Sequence, residues 1–367
     1  MGRLRELDFL RGVAILLVLV RHIPMISYLT NMGWIGVDLF FVLSGFLVSS
    51  LLFKEYIKFG NIRPELFLIR RGFKIYPIYF IFYLLYLVPI IFLNHDFNLI
   101  GFFSDLTFTQ NYLWGWGYAY AASWSLAIEE HFYVGFAFLL WVGLKYNKIN
   151  LKTEKNLHPF KKRFEIIVGG LLVTVFLLRL ISNNFFLQQD IRNFTMTHLR
   201  IDSLLFGTLI SYFYYFKNEY LKNLFHSNQN LLYVSCIFGV IWTPFIDPLP
   251  SFFVRTIGFS LLYISFGILL IILLFKRNIN QILNSMFSNI IVNVISKIGY
   301  CSYSIYIIHT FFIIWYEFII KHWNLYSNKY LFFLIASTLS VLTGMIMTYK
   351  VEKYFLGIRD EYFPSRV

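Results

Sequence analysis

Charge is scarce in this sequence. Only 14% of its 367 residues are Asp, Glu, Lys or Arg, against about 25% in an ordinary soluble domain. With 58% hydrophobic residues and a mean hydropathy of +0.64, that scarcity excludes a water-soluble globule and indicates an integral membrane protein. Cysteine is scarcer still. Cys236 and Cys301 lie in apolar segments with no spacing partner, which excludes a disulfide framework and a cysteine metal site, and no metal centre is expected. The N-terminal apolar run lacks a small-residue cleavage site; Arg21-His22-Ile23-Pro24 stands there instead, so it reads as a retained first helix. Linkers, internal repeats and loops long enough for a further domain are also missing. One membrane domain over 1–367, with no appended soluble domain, is therefore expected.

What is present is a series of long apolar stretches. A spanning helix needs about 20 mainly apolar residues. Ten stretches qualify: 8–28, 34–54, 75–93, 124–145, 164–182, 199–216, 229–245, 253–275, 298–320 and 330–350. The expectation is an all-α polytopic membrane protein of about ten transmembrane helices. The 43 Phe and 26 Tyr suit rings placed in lipid and at its interfaces. The net charge of +13 is unevenly spread. With the N-terminus inside, 24 of the 32 basic residues fall on inner segments, 6 on outer ones and 2 within the first helix. That asymmetry puts both termini in the cytoplasm. It assigns the positive charge to topology and to anionic headgroups rather than to nucleic acid.

The first apolar run, "DFLRGVAILLVLVRHIP", carries charge that a lipid-facing helix does not need. Arg11 and His22 are eleven residues apart, which brings them to one face after three turns, about 16 Å apart along the axis. Asp8 joins that stripe one turn below Arg11. An ionisable group at mid-membrane costs ~2.5–3.5 kcal/mol on insertion scales, so the stripe has to meet a polar cavity or a partner. The plain alternative is a structural Asp8–Arg11 pair with His22 as a hydrogen-bonded packing residue.

Further polar groups lie at membrane depth. "GWIGVDLFFVLSGFLVSSLLF" holds Asp38 and Ser44, with Gly33, Gly36 and Gly45 permitting close helix approach; Asp38 is either functional or a helix N-terminal charge. "RPELFLIRRGFKIYPIYF" places Arg70, Arg71 and Lys74 ahead of a helix start, where they suit lipid phosphates or the phosphates of a nucleotide-bearing substrate. Adjacent Glu129 and Glu130 diverge by about 100°, so both cannot face one cavity squarely. His198, Arg200 and Asp202 sit at an outer helix start, and His309 reads as a packing histidine.

These strings, taken in order, resemble the integral-membrane acyltransferase family 3, which includes O-acetyltransferases of surface polysaccharides. The carriers are "LDFLRGVAILLVLVRH" (Arg11 to His22), "FFVLSGFL" (Phe40–Leu47), "RRGFKIYP" (Arg70–Pro77), "WSLAIEEHFY" (Trp124–Tyr133), "RIDSLLFG" (Arg200–Gly207) and "SYSIYIIH" (Ser302–His309). His131 stands where many members have Gln, and Lys74 fills the second basic position of its element. The resemblance implies transfer of an acyl group, usually acetyl, from cytoplasmic acyl-CoA to a hydroxyl of an exported or cell-surface carbohydrate, at a bacterial cytoplasmic membrane. No permanently bound cofactor is expected. His22 suits the base, or an acyl carrier. Arg11 is assigned to the donor, Glu129 to orienting His22, and Arg70, Arg71 and Lys74 to the CoA phosphates. Asp38, Arg200 and Asp202 are assigned to the acceptor. The rival of a different class is a transporter or flippase for a lipid-linked anion or polysaccharide, which the lack of repeated halves disfavours.

Overall fold

The computed structural model describes residues 4–22, 26–93, 97–146, 148–151, 162–186, 190–324, 326 and 328–367. The architecture is all-α and polytopic. The described strand pairing is two residues long, Ile149–Asn150 with Lys162–Arg163. Most of the basic segment between Lys145 and Arg163 lies outside the described residues.

A helix is present in each of the ten predicted stretches, but among the described residues seven helices are long and apolar enough to cross a bilayer. The count reaches eight if Ile279–Phe287 and Asn289–Tyr300, bent by 110° at their junction, form one broken span. The shortfall has physical causes. The first helix, Arg5–His22, carries Arg5, Glu6, Asp8, Arg11 and Arg21 in 18 residues. Asp202–Phe216 has 15 residues and Gln229–Phe238 has 10, too short for a hydrocarbon core of about 30 Å at 1.5 Å per residue.

One boundary moves with consequences for the site. The helix expected from residue 75 begins at Pro64 and runs to Leu93. Proline is tolerated at such a start because its missing N–H has no intrahelical partner there. Arg70, Arg71 and Lys74 are thus held on rigid helix rather than on an approach loop, and Pro77 lies inside the helix.

Two glycine crossings set the centre of the bundle. Ile35–Phe59 meets Asp202–Phe216 so closely that a Cβ on Gly45 would lie 2.0 Å from the Leu204 carbonyl oxygen, and one on Gly207 2.1 Å from that of Val42. The first helix meets Asn289–Tyr300 in the same way: a Cβ on Gly299 would lie 1.8 Å from the Asp8 carbonyl oxygen. Lipid tails are as apolar as leucine, so van der Waals contact between small residues replaces the hydrophobic effect as the glue of such crossings. The polar first helix is therefore walled in by protein, with Asp8 buried.

Candidate functional site

Five helices converge on a cavity of about 290 Å³. Arg11 enters from the first helix and Ser44 from Ile35–Phe59. Arg71 and Lys74 come from Pro64–Leu93, Glu129 and Tyr133 from Trp124–Lys145, and Tyr306 from Ser302–His322. Arg11 keeps Asp8 as an ion-pair partner at 3.7 Å, so the predicted pair exists and the cation also faces the cavity.

The acidic wall is organised by tyrosines. The Tyr133 hydroxyl donates to Glu129 Oε2 at 2.8 Å and accepts from Ser44 Oγ at 2.8 Å. The Arg71 guanidinium lies 4.6 Å from the Tyr133 ring centroid, within range for a cation–π contact. Glu130 accepts from the Tyr76 hydroxyl at 2.9 Å, and its second oxygen is buried with no hydrogen-bond partner among the described residues. The two carboxylates diverge as the helix geometry requires. Both touch the cavity, but Glu130 also borders a second, apolar depression lined by Phe73, Tyr76 and Phe80.

A third cavity, of about 460 Å³, adjoins the first and shares Leu51, Arg71 and Lys74 with it as walls. Six cations line it: Lys54, Arg70, Arg71, Lys74, Arg359 and Arg366. Glu55 offsets part of this charge through a 2.5 Å contact with Arg366. Arg70 donates to Asp360 at 2.9 Å and to the Phe363 carbonyl, while Lys74 has only a distant partner, Glu352 at 4.0 Å. The concentration of cations suits a polyanion such as a nucleotide phosphate group. Sequence reasoning found three of these six residues. Lys54, Arg359 and Arg366 sat in ordinary basic runs; Lys54 is brought in by the helix Ile35–Phe59, and Arg359 and Arg366 by the C-terminal helix Lys353–Tyr362 and the residues after it.

His22 is elsewhere. It ends the first helix, exposed, and is not among the walls of the Arg11 cavity. Its ring packs 4.9 Å from that of His309, which in turn lies 5.5 Å from the ring of Tyr306, a cavity wall. Arg11 and His22 thus share a helix but not a chamber, and the expected open slot between them is interrupted by the Tyr306 and His309 side chains. Glu129 stays with Arg11 and does not contact His22.

Asp38, Arg200 and Asp202 lie in two buried ion pairs. Arg200 pairs with Asp38 at 2.8 Å, and Arg179 with Asp202 at 2.8 Å; all four side chains are sealed from solvent. The Arg200 guanidinium also sits 3.4 Å from the Phe259 ring centroid. None of the three cavities reaches them. In this arrangement they tie four helical segments together. Their polarity was legible in the sequence; their mutual neutralisation was not, because Arg179 lies on a different helix.

Comparison with known proteins adds an independent line. Residues 4–350 match the acyltransferase 3 family, described as an acyltransferase domain. A Staphylococcus aureus (strain COL) protein, provisionally named an O-acetyltransferase, is 29% identical over 220 residues, covering 56% of this chain and 34% of the relative. The peptidoglycan O-acetyltransferase OatA of Listeria monocytogenes is 30% identical over 190 residues, covering 47% of this chain and 28% of its own length. The alignment thus spans about a third of the length of such curated relatives. No solved structure matches.

Proposed function

The chain belongs to the acyltransferase 3 family, and from that premise we propose that it carries an acyl group, acetyl in the first instance, from acyl-CoA to a hydroxyl of a cell-surface carbohydrate. The observation that carries this reading is the pair of adjoining cavities: one walled by six cations, the other a polar chamber holding Arg11 and Glu129. The face bearing the basic cavity is taken as cytoplasmic, in line with the positive-inside distribution. The acceptor is drawn from the surface glycans, with peptidoglycan the case suggested by the relatives' names.

Acyl transfer from a thioester to an alcohol requires the hydroxyl oxygen to bond the carbonyl carbon as the carbon–sulfur bond breaks. The hydroxyl proton must pass to a base and then to the departing thiolate. His22 is the assigned base, at the end of the first helix away from the basic cavity. Arg11 lies about 16 Å below it on a rigid helix, too far to stabilise an oxyanion formed beside His22. We assign Arg11 to the donor's extended arm or phosphate instead. Arg70, Arg71 and Lys74, with Lys54, Arg359 and Arg366, receive the nucleotide phosphates. Glu129, braced by Tyr133, holds the polar chamber and balances Arg11. Passage of the thioester toward His22 requires Tyr306 to leave its hydrogen bond with Ser125, now 2.7 Å long.

The test is direct. Membranes holding the protein are incubated with radiolabelled acetyl-CoA and muropeptide oligosaccharide. His22→Ala is expected to abolish glycan labelling while the protein still accumulates. Normal labelling by that variant removes His22 from the reaction, and glycan movement without label would turn the reading toward a transporter.

A further inference from the structure

His309 has no part in the scheme above, yet its surroundings fix its chemistry. It is wholly buried in Ser302–His322. Its Nδ1 lies 2.5 Å from the Tyr306 carbonyl oxygen one turn back. A carbonyl accepts and cannot donate, so Nδ1 carries the ring proton, and Nε2 of the neutral ring is left with a lone pair. That Nε2 is buried with no hydrogen-bond partner among the described residues.

The frame around this lone pair is rigid. The Tyr306 carbonyl also accepts from the Tyr120 hydroxyl at 2.6 Å, and the Tyr86 hydroxyl donates to the next carbonyl, Ile307, at 2.7 Å. The neighbouring ring is the imidazole of His22, at 4.9 Å between centroids and tilted by 55°. The other titratable or charged groups facing the pair are Arg21 on the first helix, Tyr306 on the helix of His309, and Tyr86 and Tyr120 from the elements packed against it. No carboxylate hydrogen-bonds to either ring among the described residues.

We propose that His309 is a positioning residue whose Nε2 accepts an N–H from His22, fixing the His22 tautomer and holding its cation once it has taken the acceptor's proton. The inference rests on His22 being the base. Rotation of the His22 side chain at its helix end turns an N–H onto Nε2 and leaves the opposite nitrogen with the lone pair that attacks the hydroxyl proton. The proton moves from the sugar oxygen to that nitrogen, the carbon–oxygen bond forms as the carbon–sulfur bond breaks, and the proton then leaves with the thiolate. A neutral imidazole thereby takes the orienting role that a carboxylate fills in serine–histidine–aspartate sites.

The experiment compares His309→Leu, which keeps bulk without an acceptor, with His309→Gln, which restores an acceptor oxygen. The full chain is assayed in membranes with radiolabelled acetyl-CoA and muropeptide oligosaccharide, and kcat and KM are measured across pH. His309→Leu is expected to lower kcat about 100-fold, leave the KM for acetyl-CoA unchanged and move the acidic limb of the kcat profile. His309→Gln is expected to recover at least a tenfold part of that loss. Wild-type kcat and profile in His309→Leu overturn the proposal, as does equal loss in Leu and Gln. If His309→Leu does not accumulate, His309→Phe replaces it and the same comparison decides. The two readings fail separately: activity in His22→Ala removes the base itself, whereas a dead His22→Ala beside a normal His309→Leu removes only the positioning role.

Discussion

Individual side chains in the polar chamber differ in what a substitution would remove. Arg11 offers a planar fork, and Lys offers only a point charge. Arg11→Lys is expected to raise the KM for acyl-CoA more than it lowers kcat, while Arg11→Ala loses most activity; equal loss from both would mean that two parallel hydrogen bonds, not charge, hold the donor. Tyr133→Phe keeps the ring beneath Arg71 but removes the donor to Glu129. A hydrogen bond to a charged group contributes about 1.5–3 kcal/mol, so a roughly tenfold to hundredfold fall in kcat/KM is expected with unchanged protein yield. Wild-type kinetics in that variant would remove Glu129 from the site. At this scale the sequence showed which residues were polar at membrane depth, because their cost in lipid marks them. It did not show their partners. Asp38 and Arg200 looked available and are spent on each other. His309 looked inert and carries a buried nitrogen with no hydrogen-bond partner among the described residues.

Helices and loops respond differently to substitution. Gly207→Leu forces a side chain into the Val42 carbonyl; overpacking costs about 1–3 kcal/mol where neighbours can give, and more where, as here, backbone blocks the way. Accumulation in membranes is expected to fall severely; normal yield would show that the crossing can open. A pH effect belongs to the Leu99–Leu106 helix, outside the seven candidate spans. Burial pushes the Asp105 carboxyl up to about 6, against the pull of the Tyr118 and Ala119 backbone N–H groups. A carboxyl whose native value is raised favours the fold while protonated. That stabilisation is complete below its ordinary value of 3.8 and is lost as pH climbs to about 6. Relative to wild type, Asp105→Asn in detergent is expected to gain in thermal midpoint between pH 4 and pH 7. A constant difference across that range would refute the shift. Helix positions were readable from apolar runs. Their ends were less so: the basic cluster at Arg70–Lys74 looked like a flank, and three spans fell short once the first helix's charges and two early terminations were fixed.

Taken whole, the molecule joins distant parts of the chain into one basic cavity. Lys54 and Arg366 lie in the same cavity as Arg70, although the sequence separates them by most of its length. Lys54→Gln together with Arg366→Gln is expected to raise the KM for acyl-CoA several-fold with little change in kcat, and to flatten its dependence on ionic strength, since fewer cations are left for salt to screen from the anionic donor. Initial rates at low and high salt check this; an unchanged KM would put the donor elsewhere.

The sequence alone determined the class of molecule, where its apolar helices lie, its charge asymmetry and its family resemblance. Each of these is local or cumulative: hydropathy over twenty residues, a count of lysines and arginines, short strings in order. Tertiary structure alone decided which polar groups neutralise one another, which line a cavity, and that His22 faces His309 rather than the Arg11 chamber. Those outcomes depend on which faces of which helices meet, and the glycine crossings that bring the faces together act between residues far apart in the chain.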